Sequence, residues 1–304
     1  MKALVFGSLN IDYVYAVDHI VMRGETLDSD NLAALPGGKG LNQAVALSKA
    51  GMDTYMAGLI GEDGRFLKEI LETNQVDTSF VKTLDKRSGH AIIQVDVKGS
   101  NSIVLYGGTN RMVTEDFIDE VLEGFEAGDL LLMQNEINML DVIMAKAKAK
   151  GLVLALNPSP MNETIEQLNL ETVDILILNE VEGAQITGKT AEDPVGILCD
   201  LHGRFSDTDL MLTLGKNGSV FMDHKTGQTF SQEAIDVLPV IDTTGAGDTF
   251  TGFFLVGWMA KEEITSVMKR ASTASGIAVG REGAALSLPT LEEVKEAKPV
   301  QECI

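Results

Sequence analysis

Cysteines and long hydrophobic runs are both scarce in this sequence. Cys199 and Cys303 are the two cysteines among 304 residues, and they are far apart in sequence. This argues against a disulfide framework or a structural zinc site and favours two incidental thiols in a reducing compartment. No apolar run approaches the roughly 20 residues of a membrane-spanning helix, and residues 1–7 have the pattern of a short strand rather than of a signal peptide. We therefore expect a protein of the cytoplasm.

Basic residues are few as well. Lysine and arginine number 24 against 45 aspartates and glutamates, which gives a formal net charge of −21 at pH 7. Such a surface repels nucleic-acid phosphates and anionic membranes, so we expect neither as a partner. The charge does not exclude a phosphate ligand, because backbone amides and one or two local cations hold phosphate against an adverse overall field.

Short apolar runs alternate with amphipathic stretches of helical period. This order predicts an α/β protein with a mainly parallel central sheet and helices on both faces, a three-layer α/β/α sandwich. Predicted strands span residues 3–6, 54–57, 130–133, 153–156, 175–178 and 210–214. Predicted helices span residues 42–49, 65–73, 116–125, 140–150, 246–259 and 264–279. The length allows one large α/β domain or two small ones, and we expect a single domain over residues 1–304.

Two stretches do not fit the alternation. Residues 11–36 read as extended segments, and residues 90–106 read as a hairpin that turns at Lys98-Gly99-Ser100-Asn101. We interpret them as a small β-sheet lid that emerges twice from the main domain; two ordinary edge hairpins are the alternative. Such a lid exposes a sheet face and unpaired strand edges, which a second lid would cover. We therefore expect a homodimer that forms through the lids.

The most informative segment is residues 242–250, DTTGAGDTF, where an apolar run ends and an apolar helix begins. Gly245, Ala246 and Gly247 leave the backbone uncovered at the helix N-terminus, where free amides and the helix dipole favour an anion. Asp248 then lies beside that anion, as a base must when a hydroxyl attacks a phosphoryl group. The alternative is a helix that simply begins with an acidic first turn.

A second glycine-rich turn, residues 37–44 with the sequence GGKGLNQA, also runs into a helix. It lacks the spacing of a Walker A loop, and Gly7-Ser8-Leu9-Asn10 is not a dinucleotide fingerprint. Lys39 and Asn42 offer donors to a polyhydroxyl ligand, while a mere helix cap is the alternative interpretation.

The two glycine-rich segments together resemble the ribokinase branch of the PfkB carbohydrate kinases, and the resemblance covers essentially the whole chain. Between them, each in the order of the family, stand MQNE at 133–136, NPSP at 157–160, NEVE at 179–182 and TLGKNG at 213–218. One departure is Leu41, at a position where the family often has alanine; we expect it to alter packing more than chemistry.

The resemblance implies a ribokinase-like fold and the transfer of the γ-phosphoryl group of ATP, with Mg²⁺, to a primary hydroxyl, most simply O5 of D-ribose. It implies that Asp248 is the catalytic base and that the amides of Gly245, Ala246 and Gly247 form an anion hole. The implied sugar-binding residues are Asn10, Asp12, Gly38, Lys39, Asn42, Glu136 and Asp248. The implied ATP-binding residues are Asn179, Thr213, Gly215, Gly218 and Gly247. Glu182 is implied to organise magnesium through water.

A potassium site that activates the enzyme is implied as well. Its candidate ligands, mostly through backbone carbonyls, are Asp242, Thr244, Ala278, Arg281, Gly283 and Ser287. A purely structural tie between the two loops is the alternative.

Two other functions stay open at this point. One is a kinase of the same fold for deoxyribose, a nucleoside or another sugar, although Lys39, Asn42 and Asp12 favour a free pentose. The other is a non-catalytic sugar-binding regulator on a kinase scaffold, which the presence of Gly247 and Asp248 disfavours.

Overall fold

The computed structural model describes residues 1–298, so Cys303 lies outside the described part of the chain. The strands, in chain order, are β1 (Ala3–Phe6), β2 (Asn10–Val17), β3 (Asn31–Gly37), β4 (Thr54–Gly61), β5 (Asp77–Leu84), β6 (Gly89–Asp96), β7 (Asn101–Tyr106), β8 (Leu130–Gln134), β9 (Val153–Asn157), β10 (Ile175–Asn179), β11 (Asp209–Thr213), β12 (Ser219–Met222) and β13 (Thr229–Gln232). The helices are α1 (Lys39–Lys49), α2 (Arg65–Thr73), α3 (Glu115–Glu123), α4 (Leu140–Lys150), α5 (Glu163–Glu166), α6 (Glu180–Thr187), α7 (Pro194–Arg204), α8 (Ala246–Met259), α9 (Ile264–Ala278) and α10 (Leu291–Glu296). No helix within residues 1–298 is long and apolar enough to cross a membrane.

The larger sheet is mainly parallel, as the sequence predicts. In the described residues it has nine strands in the order β13-β12-β11-β10-β9-β8-β1-β4-β5, and its β12 and β13 form an antiparallel extension at one edge. The central strands are continuous apolar runs, such as LLLMQ in β8, with every residue buried. Continuous apolar runs are typical of strands that are covered on both faces.

Two hydrophobic layers cover the two faces of this sheet. Alternate residues of β1 divide between them: Ala3 and Val5 pack with α1, α8 and α9, whereas Leu4 and Phe6 pack with α3, α4 and α7. This division follows from the two-residue period of a strand. The predicted three-layer α/β/α sandwich is therefore confirmed.

The parallel arrangement sets the location of the polar residues. Because β1, β8, β9, β10 and β11 run in the same direction, their carboxyl ends meet at one edge of the sheet. Gln134, Asn157, Asn179 and Thr213 are the last residues of their strands, and residues 7–10 follow β1 directly. Ligands of open α/β sheets bind outside this edge.

The smaller sheet has four strands in the order β3-β2-β6-β7, with β2 and β6 paired in parallel. Its first part, residues 10–37, extends one residue beyond each end of the predicted segment 11–36. Its second part, residues 89–106, begins one residue before the predicted segment 90–106. Strand β7 carries four large apolar side chains that are more than half exposed, at Ile103, Val104, Leu105 and Tyr106. Successive side chains of a strand point to opposite faces, so both faces of the small sheet are apolar at this edge.

Candidate active site

Helix α8 begins within the DTTGAGDTF segment. Gly245 precedes its first residue with a φ of 76°, a left-handed conformation that glycine adopts without steric cost. The Gly245 carbonyl accepts the amide of Thr249 at 2.8 Å, and the Ala246 amide donates to the Thr243 carbonyl at 3.3 Å. Within residues 1–298 the Gly247 amide has no acceptor, and a Cβ added at Gly247 would meet no atom within 4 Å. The helix therefore presents a free amide and open space to an anion.

Asp248, on the first turn of α8, is buried and accepts hydrogen bonds at both carboxylate oxygens. Asn42 Nδ2 donates to its Oδ2 at 2.9 Å, and Gln43 Nε2 donates to its Oδ1 at 2.8 Å. Both donors belong to the first turns of α1, which packs against α8. The structure thus brings Asp248 and Asn42 together, two residues that are far apart in sequence. Sequence analysis did not single out Gln43, although it lies in the GGKGLNQA segment.

Glu136 lies at the N-terminus of α1. The amide of Lys39, the first residue of that helix, donates to Glu136 Oε2 at 3.1 Å, and the Ser8 hydroxyl donates to the same oxygen. The amide of Gly40 in turn donates to the Ser8 hydroxyl at 3.2 Å. A carboxylate is favoured at this position, because the N-terminal end of a helix carries a partial positive charge. Ser8, which contacts Glu136, is a second residue of the site that sequence analysis did not select.

Asp12 and Lys39 share an electrostatic environment with Glu136 and Asp248. Burial, and then the negative charges of Glu136 and Asp248, raise the pKa of Asp12 from 3.8 to about 7. Burial also opposes the charge of the Lys39 ammonium, but the carboxylates of Asp248, Glu136 and Glu182 outweigh it and raise the pKa of Lys39. The region therefore concentrates carboxylate acceptors around one cation, which suits a ligand with several hydroxyl groups.

Asn10, at the start of β2, is oriented by Asn110. Asn110 Nδ2 donates to Asn10 Oδ1 at 2.7 Å, and Asn110 Oδ1 accepts the amide of Leu9 at 3.1 Å. The Leu9 N–H can only donate, so the atom of Asn110 that faces it must be Oδ1. The NH₂ group of Asn110 then faces Asn10, whose nearer atom must be Oδ1. The NH₂ group of Asn10 is thereby left for other partners. Asn110 belongs to the Gly107-Gly108-Thr109-Asn110 turn, to which sequence analysis assigned no role.

The Asn179 and Glu182 pair begins α6. Asn179 Oδ1 accepts the amide of Glu182 at 2.8 Å, and Glu182 Oε2 accepts the amide of Asn179 at 3.1 Å. This is a capping box, which satisfies two amides at the helix start. Glu182 is nevertheless close enough to raise the pKa of Lys39, so its charge acts on the site. Among the described residues, no group of three or more His, Cys, Asp or Glu side chains could hold a metal ion.

The predicted nucleotide-side residues follow β11 at the same edge of the sheet. Thr213 ends the strand and its hydroxyl donates to the Leu178 carbonyl at 3.4 Å. Gly215 and Gly218 flank the short turn that leads into β12. Strand β11 pairs with β10, and α6 follows β10 directly. Gly215 and Gly218 therefore lie beside the start of α6.

The candidate potassium loops are tied together by Asp242. Its Oδ1 accepts the amide and hydroxyl of Thr244 at 2.9 and 2.7 Å, and its Oδ2 accepts the amide of Gly283 at 3.0 Å. Partial burial opposes the charge, but these hydrogen bonds prevail and lower the pKa of Asp242. The Ser287 hydroxyl donates to the Ala284 carbonyl, and the Arg281 amide donates to the Ala278 carbonyl. The structure therefore brings the predicted loops side by side.

The sequence and the fold were compared with those of known proteins. The family described as pfkB family carbohydrate kinase matches residues 1–291. A ribokinase of Staphylococcus aureus is 32% identical over 304 residues, covering 97% of this chain and 99% of that protein. The ribokinase of Cryptococcus neoformans, solved with ADP, superimposes with a TM-score of 0.85 at 33% identity, over 97% of this chain and 99% of that one.

Two further relatives bear on the ligand. The ribokinase of Arabidopsis thaliana, solved with ribose and ATP, has a TM-score of 0.85 at 28% identity and covers 97% of each chain. A deoxyribokinase of Salmonella typhi is 28% identical over 303 residues, 97% of this chain and 98% of that protein. The family model matches residues 1–291, and relatives above 30% identity align over nearly their whole length, so both comparisons assign the chain to the same family. This chain belongs to the pfkB family of carbohydrate kinases.

Proposed function

We propose that this chain is an ATP-dependent sugar kinase that phosphorylates D-ribose at O5, giving ribose 5-phosphate and ADP. The observation that carries the proposal is the position of Asp248. Its buried carboxylate stands on the first turn of α8, next to the residue that carries the Gly247 amide and against donors from α1. A base and an anion-binding amide on one helix turn suit the transfer of a phosphoryl group to a hydroxyl. The relatives with ribose, ATP and ADP support the choice of substrates.

In the proposed reaction, the O5 hydroxyl gives its proton to the Asp248 carboxylate as the oxygen forms a bond to the γ-phosphorus. The bond between that phosphorus and the β–γ bridging oxygen breaks, and ADP leaves. The amides of Gly245, Ala246 and Gly247 stabilise the charge on the transferred group. Among the described residues the Gly247 amide has no acceptor and can take this role, whereas the Ala246 amide must exchange the Thr243 carbonyl for the anion.

The sugar is held, in this proposal, by the residues around α1. Asp12 accepts from two neighbouring hydroxyls, Lys39 and Asn42 donate and Glu136 accepts, while Gly38 lets the backbone approach. Asn10 donates through its NH₂ group, because Asn110 occupies its oxygen. Fixing the ring in this way presents O5 to Asp248, which lowers the entropic part of the barrier.

The nucleotide lies, in this proposal, over the carboxyl ends of β10 and β11, near Asn179, Thr213, Gly215 and Gly218. Mg²⁺ fits as a companion of ATP, because this ion usually keeps several waters and takes one or two carboxylates plus substrate phosphates. Glu182, held in the capping box, would hold it through water. When bound, the ion neutralises charge on the β- and γ-phosphates. In this proposal the protein acts in the cytoplasm, where ATP is available.

Potassium activation is a further part of the proposal. Asp242 keeps its charge through three hydrogen bonds, and the loops that carry Thr244, Ala278, Arg281, Gly283 and Ser287 lie beside it. Backbone carbonyls and one carboxylate are ligands that suit a hard cation. A bound cation would hold the residues just before Gly245 and so fix the start of α8.

The small sheet is, in this proposal, a lid that also forms a homodimer. The exposed apolar side chains of β7 alternate between its faces, and Asp12 shares a face with Ala91 and Leu105. One face can therefore cover the sugar and exclude water. The opposite face, which carries Ile92 and Val104, requires another apolar surface, and a second lid provides one.

The experiment that tests the proposed function is a coupled assay of ADP release over a panel of acceptors. Ribose, deoxyribose, adenosine and fructose are compared, each with and without K⁺. We expect the highest kcat/KM with ribose and a higher rate with K⁺. A clear preference for deoxyribose or adenosine would replace ribose as the substrate, and the absence of turnover with every acceptor would refute the kinase assignment.

A further inference from the structure

We propose that Gln43 is a positioning residue for the catalytic base: a buried chain of side-chain amides, Gln134–Gln43–Asn157, holds the carboxylate of Asp248 in the orientation that receives the acceptor proton. The inference rests on the proposed function, because it concerns the base of that reaction. It adds a residue that makes no predicted contact with sugar or nucleotide.

The direction of every hydrogen bond among these side-chain amides is fixed by two groups that can only accept, the Asp248 carboxylate and the Ile177 carbonyl. The Asp248 carboxylate only accepts, so Gln43 must present Nε2 to it, at 2.8 Å. Gln43 Oε1 is then left to accept from Gln134 Nε2 at 2.7 Å. The Gln43 NH₂ group also donates to Asn157 Oδ1 at 3.2 Å, and Asn157 Nδ2 donates to the Ile177 carbonyl at 2.8 Å. Since a backbone carbonyl also only accepts, flipping any one amide would set like groups against each other.

Burial makes this arrangement stiff. Gln43 is 1% exposed and Gln134 is fully buried, so water does not replace a lost partner at either residue. A buried polar group that loses its hydrogen bond carries the full cost of its desolvation. Gln134 and Asn157 are also the last residues of β8 and β9, which are central strands of the sheet. These hydrogen bonds therefore connect the Asp248 carboxylate on α8 to two central strands of the sheet, which restricts its movement.

Gln43 and Asn42 contact the same carboxylate but differ in what they leave free. Gln43 uses its oxygen once and its NH₂ group twice within the protein. Asn42 donates to Asp248 Oδ2, but its Oδ1 is buried and has no hydrogen-bond partner within residues 1–298. Asn42 therefore retains an acceptor for a ligand hydroxyl, whereas Gln43 acts only through Asp248. Asn42 therefore contacts the substrate, and Gln43 aligns the base.

Alignment matters for the rate because each oxygen of Asp248 has one lone pair engaged by an amide from α1. The remaining lone pairs point away from these donors, and their direction decides which hydroxyl the base can reach. A carboxylate that rotates freely would spend most of its time in unproductive orientations. Misplacement of a reacting group by about 1 Å can cost roughly a hundredfold in rate.

The test is a mutant cycle that separates alignment from general structure. Gln43→Met keeps the length and removes every hydrogen bond of the side chain. We expect kcat to fall about 10- to 100-fold, while the KM values for ribose and ATP change less than about threefold. In an Asp248→Ala background, the same substitution is expected to change the residual rate less than about threefold, because there is no carboxylate left to align. An equal fractional loss in both backgrounds, or a rise in KM at unchanged kcat, would overturn the proposal.

A second variant guards against misfolding. Gln134→Met removes the hydrogen bond to Gln43 Oε1 but leaves Gln43 in place, and we expect a loss of kcat about 3- to 10-fold, again only when Asp248 is present. A loss that is equal with and without Asp248 would contradict the inference here too. Failure of the proposed function is seen separately, as absent turnover of the unmodified protein with every acceptor; if another acceptor is preferred, the cycle is run with that acceptor.

Discussion

Gly252 of α8 lies directly against Ala46 of α1, one helical turn beyond the contact between Asp248 and Asn42. A Cβ atom added to Gly252 would stand 2.4 Å from Ala46 Cβ and 2.7 Å from its carbonyl carbon. Backbone atoms do not yield cheaply, so the absence of a side chain at Gly252 sets the separation of the two helices. The distance between the base and its α1 donors depends on that separation.

Gly252→Ala is therefore expected to force α1 and α8 apart. Overpacking of this kind costs about 1–3 kcal/mol in the free energy of unfolding, and we expect kcat to fall with it. Chemical denaturation and the coupled assay measure the two effects. Gly203→Ala is the matched control, because Gly203 also lies in a helix but has no atom near its absent Cβ; it should leave kcat unchanged and stability equal or higher. Equal behaviour of the two variants would contradict the packing argument.

Asn110→Ala is expected to weaken sugar binding by releasing Asn10. Without Asn110, the Asn10 amide can turn its oxygen towards the sugar, and the Leu9 amide loses its acceptor. We expect KM for ribose to rise about tenfold, the worth of about one hydrogen bond, with a smaller change in kcat. Asn138→Ala is the control, because Asn138 also makes two hydrogen bonds, both of them to the backbone of Val113. A similar KM for both variants would argue that Asn110 does not act on the sugar site.

The affinity for sugar is expected to depend on pH through Asp12. Burial and the charges of Glu136 and Asp248 raise the pKa of Asp12 to about 7. Sugar hydroxyls donate to the ionised carboxylate, so binding favours the deprotonated form and releases a proton below that pKa. The dissociation constant should therefore fall as pH rises from about pH 6 to about pH 8, as measured by calorimetry.

Asp12→Asn supplies the control for this pH dependence. The amide cannot ionise, so we expect weaker binding that is flat over the same range. A dissociation constant of the unmodified protein that does not change with pH would contradict the assigned environment of Asp12.

The lid is expected to join two copies of the chain. Val104 is 64% exposed on the lid face opposite Asp12, and Val104→Lys places a charge where the partner lid would pack. Analytical ultracentrifugation should show a dimer for the unmodified protein and a monomer for this variant. Val195→Lys is the matched control, since Val195 is 69% exposed on α7, away from the lid. A monomeric unmodified protein at micromolar concentration would contradict the proposal.

The central elements of the fold could be predicted because their signals are local. The apolar runs of β1, β8, β9 and β10 and the boundaries of α2, α4 and α8 follow directly from hydrophobic pattern and length. Strands β12 and β13 were missed, since each has only four residues and lies close to polar turns. Helices α6 and α7 were missed as well, although Asn179 with Glu182, and Asp193 followed by proline, mark their starts.

The candidate site divides in the same way. Asp248, Asn42, Lys39 and Glu136 were selected from motifs, and the structure brings them to one end of α1 and α8. Gln43, Ser8 and Asn110 were not selected, because each acts by contacting another polar side chain that is at least 100 positions away in sequence. Pairings of that kind are created by the sheet order, which no local pattern contains.

The central claim is that Asp248 removes the proton from the acceptor hydroxyl. The most direct test is the single-turnover rate of Asp248→Asn with saturating ribose and ATP, beside calorimetric binding of ribose to the same variant. We expect a rate at least about a hundredfold lower, the low end for a general base, with ribose binding retained. A rate close to that of the unmodified protein would contradict it.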